Sequence, residues 1–64
     1  MKLVDYRHEF HLSQAQLADR LGIDVTTVSK YETGSILPSV KILRKIYEVT
    51  RGTVTMDDFF DDEQ

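Results

Sequence analysis

The sequence predicts an all-α domain of five short helices, and three observations carry that prediction. Between Ser13 and Gly34 it reads SQAQLADRLGIDVTTVSKYETG, two capped helices joined by a glycine-containing turn. Apolar residues recur at helical spacing on either side: Leu3, Tyr6 and Phe10 before it, and Val40, Leu43, Ile46 and Tyr47 after it. Thr55-Met56-Asp57-Asp58 then forms a capping-box pattern that opens a short fifth helix.

The central stretch is the most specific. Ser13 can accept from a first-turn N–H while Gln16, three residues on, reaches back to the Ser13 backbone. Leu17, Ala18 and Leu21 share one face, and Ala18 is small enough for another helix to approach closely. Gly22 supplies the left-handed residue that ends this helix, Asp24 caps the next, and Gly34 stops it. Helix, short glycine turn and helix is the layout of a DNA-binding helix-turn-helix.

Leu12-Ser13-Gln14, Leu17-Ala18, Leu21-Gly22-Ile23 and Val28-Ser29-Lys30-Tyr31-Glu32-Thr33-Gly34 resemble the helix-turn-helix family of phage Cro proteins and repressors, regulators of the xenobiotic-response-element type. Pro38-Ser39 and the helix after it continue the likeness, which covers nearly the whole chain. The resemblance implies a five-helix lambda-repressor-like domain over residues 1–60, with the motif at about 13–34 and an acidic tail, expected to be disordered, over 61–64.

Composition limits the alternatives. The 64 residues leave little room for a core, and there is no cysteine for a disulfide and no ligand-spaced His/Asp cluster for a metal. No signal peptide or membrane-length apolar run is visible, so the cytoplasm of a bacterial cell or phage-infected host is expected. The net charge of −3 argues against nucleic acid until it is resolved along the chain. Residues 57–64 hold five acids and no base, so residues 1–56 hold eight bases against six acids, a balance of +2. Between Lys30 and Arg51 there are five bases against Glu32 and Glu48.

In the first helix, read as Lys2 to Phe10, Arg7 falls within the apolar stripe. It must either pair with an acid or lay its stem on the core and reach water. His11, where the family often has glycine, adopts the left-handed conformation less readily, so a differently shaped junction is expected there. His8 and His11 have no ligand partners at useful spacing and read as surface residues. In the fourth helix, capped by Ser39, the inner face is assigned to Val40, Leu43, Ile46 and Tyr47 with Ile42 and Val49 flanking.

The third helix is where spacing speaks most directly to function. At about 100° per residue, Val25, Thr26, Ser29, Lys30 and Thr33 share one side, while Asp24, Thr27, Val28 and Tyr31 share the other. The first group is short, hydroxyl-rich and carries a lysine, whereas a merely solvated face more usually carries long helix-favouring side chains. Val25, Thr26, Ser29 and Lys30 are the candidate base contacts: threonine methyls and Val25 suit thymine methyl groups, hydroxyls suit either base edge, and Lys30 suits guanine O6 and N7. Gln14, Thr33, Ser35, Lys41 and Arg44 are the candidate phosphate contacts. The resemblance implies that Gln14 both touches phosphate and braces the recognition helix, and that Arg7 pairs with Glu32. Ile36 and Leu37 either tuck under the fourth helix or form an apolar contact for a partner. Phe59 and Phe60 cannot both point inward, so Ile36, Leu37 and Phe60 are the candidate dimer contacts.

The expected function is sequence-specific binding to double-stranded DNA as a weak homodimer on a palindromic operator, in the manner of a Cro-like repressor. An antitoxin or a restriction-modification controller uses the same fold, and a protein-interaction module that has lost DNA binding is the rival from another class. No nucleophile-base-orienter set, Gly-rich phosphate loop or metal cluster appears, so no enzyme, cofactor or small-molecule ligand is expected.

Overall fold

The computed structural model describes residues 1–60; the tail assigned to 61–64 lies outside the described residues. The described residues form α1 (Leu3–Glu9), α2 (Gln14–Leu21), α3 (Val25–Thr33), α4 (Val40–Val49) and a 3-10 turn at Met56–Phe59. Among the described residues there are therefore four α-helices, not five. Both arms of the Thr55/Asp58 capping box are present, but only four residues follow the cap, and Phe60 already leaves the helical pattern. A single hydrogen-bonded turn is a costly nucleus, and among the described residues it is a 3-10 turn. Lys2 and Phe10 flank α1 as caps instead of belonging to it.

The core lies where α2, α3 and α4 meet α1, and Leu17, Val28, Ile46 and Val54 are its most enclosed side chains. Val54 has no helical periodicity to announce it. Thr50 brings it inward: its hydroxyl donates to the Ile46 carbonyl at 2.8 Å and accepts from the Val54 N–H at 3.1 Å. That bond folds the chain back after α4 and drops Val54 into the core, with no exposed surface left.

The returning segment also settles which side of α4 is buried, and it corrects the sequence reading. Ile46 is buried and Ile42 and Val49 pack beside it, but Val40 is 72% exposed and Tyr47 56% exposed. Ile42, Ile46, Val49 and Thr50 lie within about 100° of one another around the helix, so burying Thr50 turns Val40 and Tyr47 outward. Phe10 is likewise outside the core, stacked on Tyr6 at a centroid distance of 4.6 Å.

The α1–α2 junction departs from expectation in a different way. His11 adopts the left-handed conformation (φ 55°), its N–H bonded to the His8 carbonyl, and Leu12 is then buried. The junction keeps the path a glycine would give, with the strain carried by His11.

Three helices converge on one carboxylate. Arg7 Nε of α1 donates to Glu32 Oε2 of α3 at 2.6 Å, and Arg7 Nη2 donates to Glu32 Oε1 at 3.1 Å. Arg7 Nη1 is held by the Leu12 carbonyl at 3.0 Å. Gln14 Nε2, from α2, donates to Glu32 Oε1 at 3.0 Å. The Arg7 side chain is only 14% exposed and that of Glu32 only 6%, so the pair is largely withdrawn from water. Burial by itself would raise the Glu32 pKa. Hydrogen bonds from Arg7 and Gln14, with the attraction of Arg7 and His8, outweigh it and hold the carboxyl below the usual glutamate range.

Glu32→Ala strands the Arg7 guanidinium, so it should cost about 3–5 kcal/mol and unfold much of a domain whose total stability is of the order of 5 kcal/mol. Because the Glu32 pKa is lowered on folding, its contribution is complete above the ordinary glutamate value of about 4.3 and lost as pH falls through the lower folded value. Thermal melts from pH 7 to pH 3 should show the wild type losing stability over that window and Glu32→Gln losing less. His11→Gly should raise the melting temperature, since it removes a left-handed strain of about 1–2 kcal/mol for about 0.5–1 kcal/mol of added chain entropy. A melting temperature lowered by His11→Gly would mean that the imidazole makes a stabilising contact.

Candidate nucleic-acid interface

The surface that the motif presents is built from its caps outward. Ser13 Oγ accepts from the Gln16 N–H at 3.0 Å, and Gln16 Oε1 accepts from the Ser13 N–H at 2.8 Å, so both arms of the α2 capping box are closed. Gly22 turns left-handed at φ 69°, and the Ile23 N–H bonds back to the Ala18 carbonyl at 3.0 Å. Ile23 then packs against the core, which fixes the angle at which the chain enters α3. Asp24 Oδ2 accepts from the Thr26 N–H at 2.9 Å and starts that helix.

On α3, Val28 is fully buried, and Thr27 and Tyr31 are partly covered. Tyr31 meets the edge of Phe59 at 6.5 Å. Val25, Thr26, Lys30 and Thr33 are exposed and Ser29 is half-buried, so one side of the helix offers short polar and branched side chains to solvent. These residues are brought together, and nothing in the described chain lies over them.

The candidate phosphate contacts are not all equally free. Gln14 sits in the first turn of α2, where helix N–H groups carry positive partial charge, and one of the two N–H donors of its amide is given to Glu32. Thr33 Oγ1 donates to the Lys30 carbonyl at 3.3 Å and lies 2.9 Å from Ser35 Oγ. With Thr33 so committed, Ser35 is the donor of that second bond, and a phosphate arriving here must displace one of the two. Lys41 and Arg44 are exposed on α4 and border a shallow groove shared with Leu21 and Gly22, at the end of α2.

The candidate partner contacts are all on the surface. Ile36 is 42% exposed, Leu37 54% and Phe60 56%, so neither loop residue tucks under α4. Leu37 and Phe60 line one open groove together with Tyr31 and Phe59; Ile36 stands apart from it. Phe59 turns inward and Phe60 outward. Val40 and Tyr47 are further exposed apolar residues that helical spacing assigned to the interior.

Among the described residues no group of three His, Cys, Asp or Glu side chains could hold a metal ion, and no helix is long and apolar enough to cross a membrane.

Comparison with known proteins places this geometry. Residues 3–55 match the helix-turn-helix family. The chain is 42% identical over 45 residues to the cryptic phage CTXphi transcriptional repressor RstR of Vibrio cholerae, a stretch that covers 70% of this chain and 40% of that one. It is 30% identical over 63 residues to an HTH-type transcriptional regulator of Archaeoglobus fulgidus, covering 98% of this chain and 89% of the relative. It is 45% identical over 42 residues to the ImmF control region 10 kDa protein of Bacillus phage phi105, covering 66% and 47%. The chain thus spans less than half the length of the two phage relatives. No solved structure matches it significantly. With residues 3–55 matched and both capped helices in place, the chain belongs to the helix-turn-helix family of phage Cro and repressor type, a family of DNA-binding transcription regulators and not a class of enzymes.

Proposed function

We propose that this protein binds a palindromic DNA operator as a homodimer and represses transcription there. The observation that carries the reading is the exposed side of α3, where Val25, Thr26, Ser29 and Lys30 stand clear of a helix whose other side is anchored by Val28. Short side chains let the helix lie deep in a major groove. There Lys30 donates to guanine O6 and N7, the hydroxyls of Thr26 and Ser29 bond to base edges, and Val25 meets a thymine methyl.

Gln14, Thr33, Ser35, Lys41 and Arg44 hold the flanking phosphates and set the register of α3 in the groove. Glu32 supports Gln14 from behind and thereby ties the phosphate-facing end of α2 to α3. The five bases between Lys30 and Arg51, against two acids, give this stretch a basic balance despite the negative total. One such domain presents too few base contacts for a unique address, so two domains read half-sites about 34–36 Å apart. Ile36, Leu37 and Phe60 supply apolar surface for a weak contact between them.

A gel-shift titration on DNA flanking the gene tests the reading, and no shift at low salt would favour a protein-interaction module. Lys30→Ala should cost about 1–3 kcal/mol and relax the preference at one base position. Gln14→Ala should instead weaken all sites about equally. An unchanged selected consensus and affinity in Lys30→Ala would show that this side of α3 does not read bases. Wild-type binding should be cooperative on a palindrome and much poorer on a half-site; equal affinity per monomer on both would rule out the dimer.

A further inference from the structure

One exposed acid stands at the start of the proposed reading helix. Asp24 precedes α3 with extended backbone (φ −75°, ψ 146°), so the helical spacing that grouped it with Val28 and Tyr31 does not set the direction of its side chain. The carboxylate turns back over the first turn of α3, where Oδ2 accepts from the Thr26 N–H at 2.9 Å. The Asp24 carbonyl accepts from the Thr27 and Val28 N–H groups at 3.0 and 3.2 Å. Asp24 is thus held by side chain and backbone together. It is nevertheless exposed, and among the described residues its Oδ1 has no partner.

From Asp24 to Lys30 the chain reads DVTTVSK, with a carboxylate at one end, an ammonium at the other and no charge between them. Six residues of helix place the two about 9 Å apart along its axis, well beyond the ~3.4 Å step between base pairs. The two ends ask for opposite chemistry. An ammonium only donates and suits guanine O6 and N7, whereas a carboxylate only accepts and suits the cytosine N4 amino group. Guanine and thymine offer a carboxylate only acceptors in the major groove, and adenine sets its N6 donor beside the N7 acceptor.

We propose that Asp24 is a specificity-determining residue, its Oδ1 accepting from cytosine N4 at the base pair that faces the start of α3. The inference rests on the reading of α3 given above and adds an acceptor to the donors and apolar groups named there. Its larger effect is exclusion. Guanine or thymine at that pair sets acceptor against acceptor, and the carboxylate also repels phosphate, so DNA of the wrong sequence is bound more weakly. The cap makes the exclusion effective, because the side chain cannot swing away from a poor base without giving up the Thr26 N–H. Lys30 and Asp24 together would give each half-site a direction, guanine under one end of the helix and cytosine under the other.

Asp24→Asn separates this role from capping, since asparagine caps a helix start as well as aspartate does. The test selects duplexes from a random library with wild type, Asp24→Asn and Lys30→Ala, then titrates the selected sequences by fluorescence anisotropy. Wild type should select cytosine at one position and bind a guanine or thymine replacement there about tenfold more weakly. Asp24→Asn, whose amide both donates and accepts, should lose that preference and keep the rest of the consensus. Asp24→Ser, which also caps, should lose it too, and circular dichroism melts establish that each variant is folded. Uniformly tighter binding by Asp24→Asn with an unchanged consensus would overturn the proposal, leaving a general repulsion of phosphate. Unchanged affinity and consensus would overturn it as well, because Asp24 would then stand clear of the bases. In both cases a consensus altered by Lys30→Ala leaves the reading of α3 intact, whereas a wild type that enriches no sequence overturns that reading itself.

Discussion

The Glu32 carboxylate is the point on which the arrangement of the helices depends. A domain this small has few apolar side chains to spare, and its core leaves relative rotations of short helices loosely determined. One carboxylate that accepts from Arg7 on α1 and Gln14 on α2, while fixed on α3, removes much of that freedom. Its energetic role is asymmetric. Forming the pair returns little net energy after desolvation, whereas losing either member leaves a charge buried without a partner. The interaction thus selects one geometry more than it adds stability. The geometry selected is the one that holds the first turn of α2 against the last turn of α3.

Much of this was legible from residue spacing, because the motif is written in local chemistry. Ser13 with Gln16, Gly22, Asp24 and Gly34 act within four residues of where they stand, so their caps can be read without knowing the tertiary structure. The two sides of α3 were legible for the same reason: Val28 and Tyr31 are its large inward side chains. What could not be read depends on partners distant in sequence. α4 carries apolar residues around much of its circumference, so periodicity alone does not choose among them. The choice is made by Thr50, whose hydroxyl captures the Val54 N–H and thereby decides which residues are covered. His11 was misjudged because a general preference against left-handed histidine says nothing of the energy gained by burying Leu12 directly after it. The fifth helix was overread because its cap is genuine and only its length is lacking.

The surface electrostatics divide the same way. The overall charge of −3 is a poor guide, since five of the eleven acids fall in the last eight residues and the bases lie mostly on α3, α4 and the segment after it. An exposed helix face lined by Lys41, Arg44 and Lys45 meets phosphate or an acidic protein surface with equal readiness.

Val54 has one more consequence. It is the last fully enclosed side chain of the described residues, and the family match stops at residue 55, directly after it. The matched stretch thus ends just after the last fully enclosed side chain, and only the partly covered Phe59 packs against the core beyond it. Among the described residues beyond that point no side chain is fully enclosed, so changes there cost the core less than a change at Val54 itself. A chain of this family can therefore vary after Val54 while Leu17, Val28, Ile46 and Val54 keep the two capped helices packed.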